Sequence, residues 1–127
     1  MKRVVDTSAW IEWFEDSPIA GSLGPYLAAQ QECILPTIVQ LELAKWLYRE
    51  IARDAANRAL AYVGECPVVV LDTTIAFRAA AYCRAHKLAT ADAIVYATAR
   101  VVGADLLTCD AHFEGLDGVV YVPKSTA

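Results

Sequence analysis

Val4-Val5-Asp6-Thr7-Ser8-Ala9-Trp10-Ile11-Glu12-Trp13-Phe14 is the stretch on which the fold turns. A β-branched pair reads as a short buried strand, and an acid ends it at once. Thr7 and Ser8 are N-cap residue types, and Trp10, Trp13 and Phe14 recur at i, i+3, i+4, which is one face of a helix. The segment therefore predicts a β–α unit with a carboxylate at the strand tip.

Similar units follow along the chain. A Gly-interrupted helical stretch occupies residues 18–30, and Cys33-Ile34-Leu35 forms a second strand stopped by Pro36. Thr37-Ile38-Val39-Gln40 fits the capping box T-x-x-Q and predicts a helix to about residue 51. An Ala- and Arg-rich helix over 53–63 comes next. Pro67-Val68-Val69-Val70-Leu71 reads as the clearest strand, apolar throughout as a strand covered on both faces should be. Asp72-Thr73-Thr74 opens a helix to about residue 86, and Thr90 opens another that Gly103 closes. Leu106-Leu107-Thr108 and residues 119–122 are the last two strands. Strands separated by helices predict one α/β domain over residues 1–127, with a short, mostly parallel sheet.

Composition bounds the function. The 127 residues are 57% apolar, against roughly 45–50% in typical domains, and the net charge is −4. This excludes a disordered chain and argues against binding through one large basic surface. Asp6 interrupts any signal-peptide pattern after Lys2-Arg3, and no apolar window is long enough to span a membrane, so a cytoplasmic protein without membrane contact is expected. Mean hydropathy is +0.34, spread over short elements. Cys33, Cys66, Cys83 and Cys109 are isolated, with no C-x-x-C pair, and are expected as reduced, packed thiols rather than zinc ligands or disulfides.

The acids carry the chemistry. Asp6, Asp72 and Asp110 end predicted strands, at the sheet edge where open α/β folds bind ligands. Asp92 lies in the first turn of its helix, and Glu42 sits among Ile38, Val39, Leu41 and Leu43. Carboxylates gathered together repel one another unless a cation holds them ionised. All-oxygen ligands favour Mg²⁺ or Mn²⁺, which clamps phosphate and acidifies a water for phosphodiester hydrolysis. All but Asp6, which ends a buried strand and precedes a helix cap, also have a plain structural reading: Asp72 and Asp92 as helix N-terminal acids, Asp110 as a turn former, Glu42 as a solvated residue.

Val4-Val5-Asp6-Thr7-Ser8-Ala9, Leu41-Glu42-Leu43, Thr90-Ala91-Asp92-Ala93-Ile94 and Leu107-Thr108-Cys109-Asp110-Ala111-His112-Phe113 resemble, in order, the four acidic motifs of the PIN domain, and of VapC-type toxins in particular. The resemblance runs from Val4 to Val122. It implies a three-layer α/β/α domain and a metal-dependent endoribonuclease, the toxin of a type II toxin–antitoxin pair. It places Asp6, Glu42, Asp92 and Asp110 in a pocket for Mg²⁺ or Mn²⁺, with Asp6 and Asp92 as direct ligands and Thr7, Ser8 and Thr108 in support. Asp72 matches no motif and reverts to a helix cap, and Asp117 is peripheral. The alternatives are a phospho-accepting receiver domain, which would need adjacent acids where Thr7 and Ser8 stand, and a catalytically idle interaction module.

Lys45, Arg49 and Arg53 recur at i, i+4, i+8 and are expected on one helix face, as RNA or antitoxin contacts, with Glu50 able to pair with Arg53. Trp10, Trp13, Phe14, Trp46, Leu47 and Tyr48 are too many large apolar groups for two short helices. Trp10, Trp13, Phe14 and Trp46 are candidate interface residues. The resemblance implies a homodimer and a VapB-type antitoxin, with DNA met only through that antitoxin. The first and third helices are the expected place for its groove.

Overall fold

The computed structural model describes residues 1–124. The chain runs β1 (Arg3–Val5), α1 (Thr7–Phe14), α2 (Ala20–Leu27), β2 (Cys33–Pro36), α3 (Thr37–Glu50), α4 (Arg53–Val63), β3 (Val68–Val69), α5 (Thr73–His86), α6 (Thr90–Val102), β4 (Asp105–Thr108) and β5 (Val119–Tyr121). The strands form one sheet in the order β3-β2-β1-β4-β5, and every pairing is parallel. The chain builds outward from β1 to β3 and then returns to the other side of β1. That reversal places the topological switch point between the ends of β1 and β4.

Successive strand residues point to opposite faces of a sheet. Val4 and Val5, Leu106 and Leu107, and Cys33, Ile34 and Leu35 are all buried, so helices cover both faces of the central strands. This is the expected three-layer arrangement. β3 departs from expectation. Only two of its residues pair, and Val70 is 62% exposed. β3 lies at the edge of the sheet, and its apolar run is not covered on both faces.

Two expected caps also differ. Asp6, not Thr7 or Ser8, occupies the N-cap position of α1, which leaves both hydroxyls inside the first turn. The capping box at Thr37 does not form: Pro36 is the N-cap, and the Thr37 hydroxyl accepts from the Leu71 N–H at 3.2 Å. Asp72 does cap α5, accepting from the Ile75 N–H at 2.8 Å. Gly103 closes α6 at φ +69°, in the left-handed region glycine favours.

Trp10 is fully buried and belongs to the core, not to an interface. It stacks on Phe14 at 5.8 Å and meets Trp13 and Tyr62 edge-on. Leu47 is also fully buried, beside Leu43 and Val39 on the inner face of α3. The four cysteines are free, three of them buried.

Trp10→Ala therefore lowers the free energy of unfolding by about 3–5 kcal/mol, the scale of a large buried aromatic. Asp72→Ala costs about 1 kcal/mol as a lost cap. Denaturant unfolding checks both, and a Trp10→Ala loss below that of Asp72→Ala would contradict this assignment of the core.

Candidate metal centre at the sheet switch point

Asp6 follows β1 directly, and its N–H donates to the Leu107 carbonyl at 2.9 Å, so the acid sits where β1 meets β4. Its Oδ2 accepts from the Ser8 hydroxyl at 2.7 Å and the Thr108 hydroxyl at 2.9 Å. Those hydroxyls in turn accept from the N–H groups of Cys109 and Asp110, each at 3.0 Å. Each hydroxyl spends its one hydrogen on Asp6 and its lone pairs on the backbone. The network is therefore polarised toward an ionised Asp6, and Oδ1 is left without a hydrogen bond among the described residues. Burial nevertheless outweighs this support and pushes the Asp6 carboxyl up to about 6, with the charges of Asp92 and Glu42 adding to the rise.

The other acids arrive on separate elements. Glu42, in the second turn of α3, accepts from the Thr7 hydroxyl at 2.9 Å. Asp92 lies in the first turn of α6, where burial and then the Asp110 carboxylate raise its carboxyl. Asp110 follows β4 and accepts from the His112 N–H at 2.9 Å, heading a short turn over Ala111–Phe113 that the buried Phe113 anchors. Asp6, Glu42, Asp92 and Asp110 line one cavity of about 400 Å³. Convergence in space, which spacing along the chain could not show, is thus present. Thr7, Ser8 and Thr108, expected in support, donate their hydroxyls to the carboxylates, Thr7 to Glu42 and the other two to Asp6.

Four residues joined the site unannounced. His112 places Nδ1 at 3.2 Å from Asp110 and 3.5 Å from Asp92. The ligand atoms of Asp92, Asp110 and His112 all lie within 4.8 Å of one another, a spacing that suits one cation. Glu12 and Glu15 also line the cavity. Their signal was available: Ser8 and Glu12 stand one turn apart on α1, and Glu15 at its C-cap continues the row. Lys124 lines the cavity as well and offsets part of its charge. Asp117 stays outside, paired with Arg100 at 3.1 Å.

The basic row divides. Lys45 and Arg49 line a second cavity of about 240 Å³ with Thr7, Ile11, Glu42 and Trp46. Arg53 does not continue their face, because α3 ends at Glu50 and Arg53 begins α4. Its guanidinium lies over the Tyr48 ring, while Glu50 pairs with Arg49 rather than Arg53. The apolar groove also moves. It runs between α1 and α4, about 400 Å³ lined by Trp13, Phe14, Ala55, Arg58, Ala59 and Tyr62, and not between α1 and α3, whose cleft carries charge.

The carboxylate oxygens of the lining are hard ligands of the kind that suit Mg²⁺ or Mn²⁺, and a cation would offset the burial and the mutual repulsion that raise Asp6 and Asp92. No helix among the described residues is long and apolar enough to cross a membrane. No curated protein matches the chain in sequence. Its fold is similar to a chain in a toxin–antitoxin complex from Klebsiella pneumoniae, with TM-score 0.84 and 23% identity over 98% of this chain and 100% of that one. It is also similar to Mycobacterium tuberculosis VapC20, described as a sarcin–ricin loop cleaving toxin, with TM-score 0.78 and 21% identity over 96% and 99%. A third likeness is to VapBC2 from Rickettsia felis, solved with a DNA fragment from its promoter, with TM-score 0.76 and 12% identity over 98% and 100%. Residues 3–119 match the PIN domain, and the chain belongs to that family.

Proposed function

We propose that this protein is a divalent-metal-dependent endoribonuclease, the cytoplasmic toxin of a type II toxin–antitoxin pair. The observation that carries the reading is the meeting of Asp6, Glu42, Asp92 and Asp110, from four separate segments, in one cavity at the switch point. Asp6, Asp92 and Asp110 would hold Mg²⁺ or Mn²⁺, with Glu42 ligating directly or through water. The ion supplies neutralisation of a phosphodiester and acidification of a water. The chain supplies the rest. Ser8 and Thr108 fix the Asp6 carboxylate by hydrogen bonds that favour its charged form. Thr7 holds Glu42 by its hydroxyl, and the Glu42 carboxylate would take a proton from the attacking water.

The toxin role draws support from the solved toxin–antitoxin proteins that share the fold. Two separate apolar surfaces suit two partners. The groove between α1 and α4, which includes Trp13 and Phe14, would take the apolar segment of a VapB-type antitoxin. Val70, Leu71 and Phe77, with Phe77 74% exposed on α5, would meet a second copy in a homodimer.

Purified protein freed of any partner cleaves RNA with Mg²⁺ or Mn²⁺ and not with EDTA. Asp92→Asn reduces cleavage by about 100-fold or more, the scale for a group acting on the transition state. Equal cleavage by both proteins, or cleavage that EDTA leaves intact, would sink the reading.

The raised Asp6 carboxyl adds a pH signature. Between the ordinary value of 3.8 and about 6, the folded metal-free chain keeps a proton that the unfolded chain releases. Stability contributed by Asp6 is therefore present below pH 4 and is lost as pH rises to about 6. The loss is up to about 3 kcal/mol, at roughly 1.4 kcal/mol per pKa unit. Mg²⁺ opposes the loss because it binds the carboxylate, so its stabilising effect grows over the same window. Thermal unfolding of the unchanged chain and of Asp6→Asn from pH 4 to 7 checks this; identical pH slopes for the two would contradict it.

A further inference from the structure

On α3, Glu42, Lys45, Trp46 and Arg49 stand at i, i+3, i+4, i+7 and form one stripe on the helix. Val39, Leu43 and Leu47 hold the adjoining, buried face. The stripe starts in the acidic cavity at Glu42 and leads away from it. Trp46 lies about 6 Å further along the helix axis and Arg49 about 10 Å, at 1.5 Å per residue. The two cavities it lines share Thr7, Ile11, Glu42 and Trp46, so they form one continuous cleft between α1 and α3. One end is acidic, with Glu12 and Glu15 on its α1 wall; the other carries Lys45 and Arg49.

Trp46 stands at the junction. It is half-buried, packed along the core, and lines both cavities. Its ring pairs with no other aromatic among the described residues, unlike the cluster of Trp10, Trp13, Phe14 and Tyr62. Lys45 is exposed and in no ion pair among those residues.

We infer that Trp46 is a stacking platform for an unpaired base next to the scissile phosphate, with Lys45 and Arg49 holding the phosphates that follow. This deepens the ribonuclease reading and rests on it. Single-stranded nucleic acid is bound by this combination of an aromatic face and a cationic track. Charge decides against a protein segment as the occupant. The α1–α3 cleft is lined by Glu42, Lys45 and Arg49, whereas an apolar segment has the separate α1–α4 groove. A stacked base must be out of a duplex, so the enzyme selects loops or single strands.

The test uses the Asp92→Asn chain as a non-cleaving background, with Mg²⁺ present. Affinities are measured for a labelled single-stranded RNA hexamer, the same hexamer with abasic riboses, and a blunt RNA duplex. Trp46→Ala weakens binding of the RNA hexamer by about 5- to 150-fold, the range for losing one base–aromatic stack. It changes abasic binding less than about twofold, and Trp46→Phe restores most of the affinity. Lys45→Ala instead weakens both hexamers alike and lowers the salt slope by about one. The duplex binds more weakly than the hexamer. Equal losses on both hexamers for Trp46→Ala, or no loss, would overturn the inference, and thermal unfolding of both Trp46 variants separates misfolding from lost stacking. Failure of the parent reading shows differently, as absence of metal-dependent cleavage by the unchanged chain.

Discussion

The carboxylate of Asp6 and the two hydroxyls that clamp it form the interaction on which the rest of this structure depends. β1 and β4 lie side by side at the centre of the sheet, and the network of Ser8, Thr108 and the Cys109 and Asp110 N–H groups joins their carboxyl ends. A buried, ionisable group is costly, and this one is held against a desolvation penalty large enough to raise its carboxyl to about 6. A fold governed by stability alone would place an apolar residue there. A carboxyl raised in this way, at a cavity lined by further acids, marks a candidate functional site, and a bound cation would lower the cost.

Topology explains why the acids meet. Because β1 is flanked by β2 and β4, segments distant in sequence reach the same edge, with Asp6 from β1 and Asp110 from β4. α3 and α6 each bring an acid within their first two turns, where Glu42 and Asp92 face the same opening. The overall charge of −4 then ceases to oppose a phosphate ligand. Much of it is concentrated where a divalent ion would neutralise it, and the basic residues of α3 begin where that cavity ends.

Much of this was legible in the sequence, for identifiable reasons. An acid that abruptly ends an apolar strand is unusual enough to mark a strand tip, and so Asp6 and Asp110 could be placed. Asp72 and Gly103 obey local rules of helix ends that need no tertiary context. What local pattern could not supply was the neighbour. Thr37 follows the capping pattern, yet its hydroxyl is taken by Leu71, 34 residues away. Residues 67–71 look like an inner strand, but β3 lies at the edge of the sheet, where Val68 and Val70 are left uncovered. Trp10 and Trp13 are alike in sequence and three residues apart, and both pack on Tyr62 of α4, yet only Trp10 is fully buried while Trp13 lines the groove. His112 and Glu12 each read locally as an ordinary turn or helix residue, and only the cavity gives them a common place.

The central claim is that these side chains form one metal site built around Asp6. Titration of the protein with Mn²⁺, followed by electron paramagnetic resonance of the free ion, tests it without reference to cleavage. The account predicts saturable binding that weakens by about 10–100-fold or more in Asp6→Asn, at least the scale for losing a group that tunes a metal site. Thr108→Val, which removes a hydrogen bond to Asp6, produces a smaller loss in the same direction. Mn²⁺ affinity unchanged by Asp6→Asn would contradict the account.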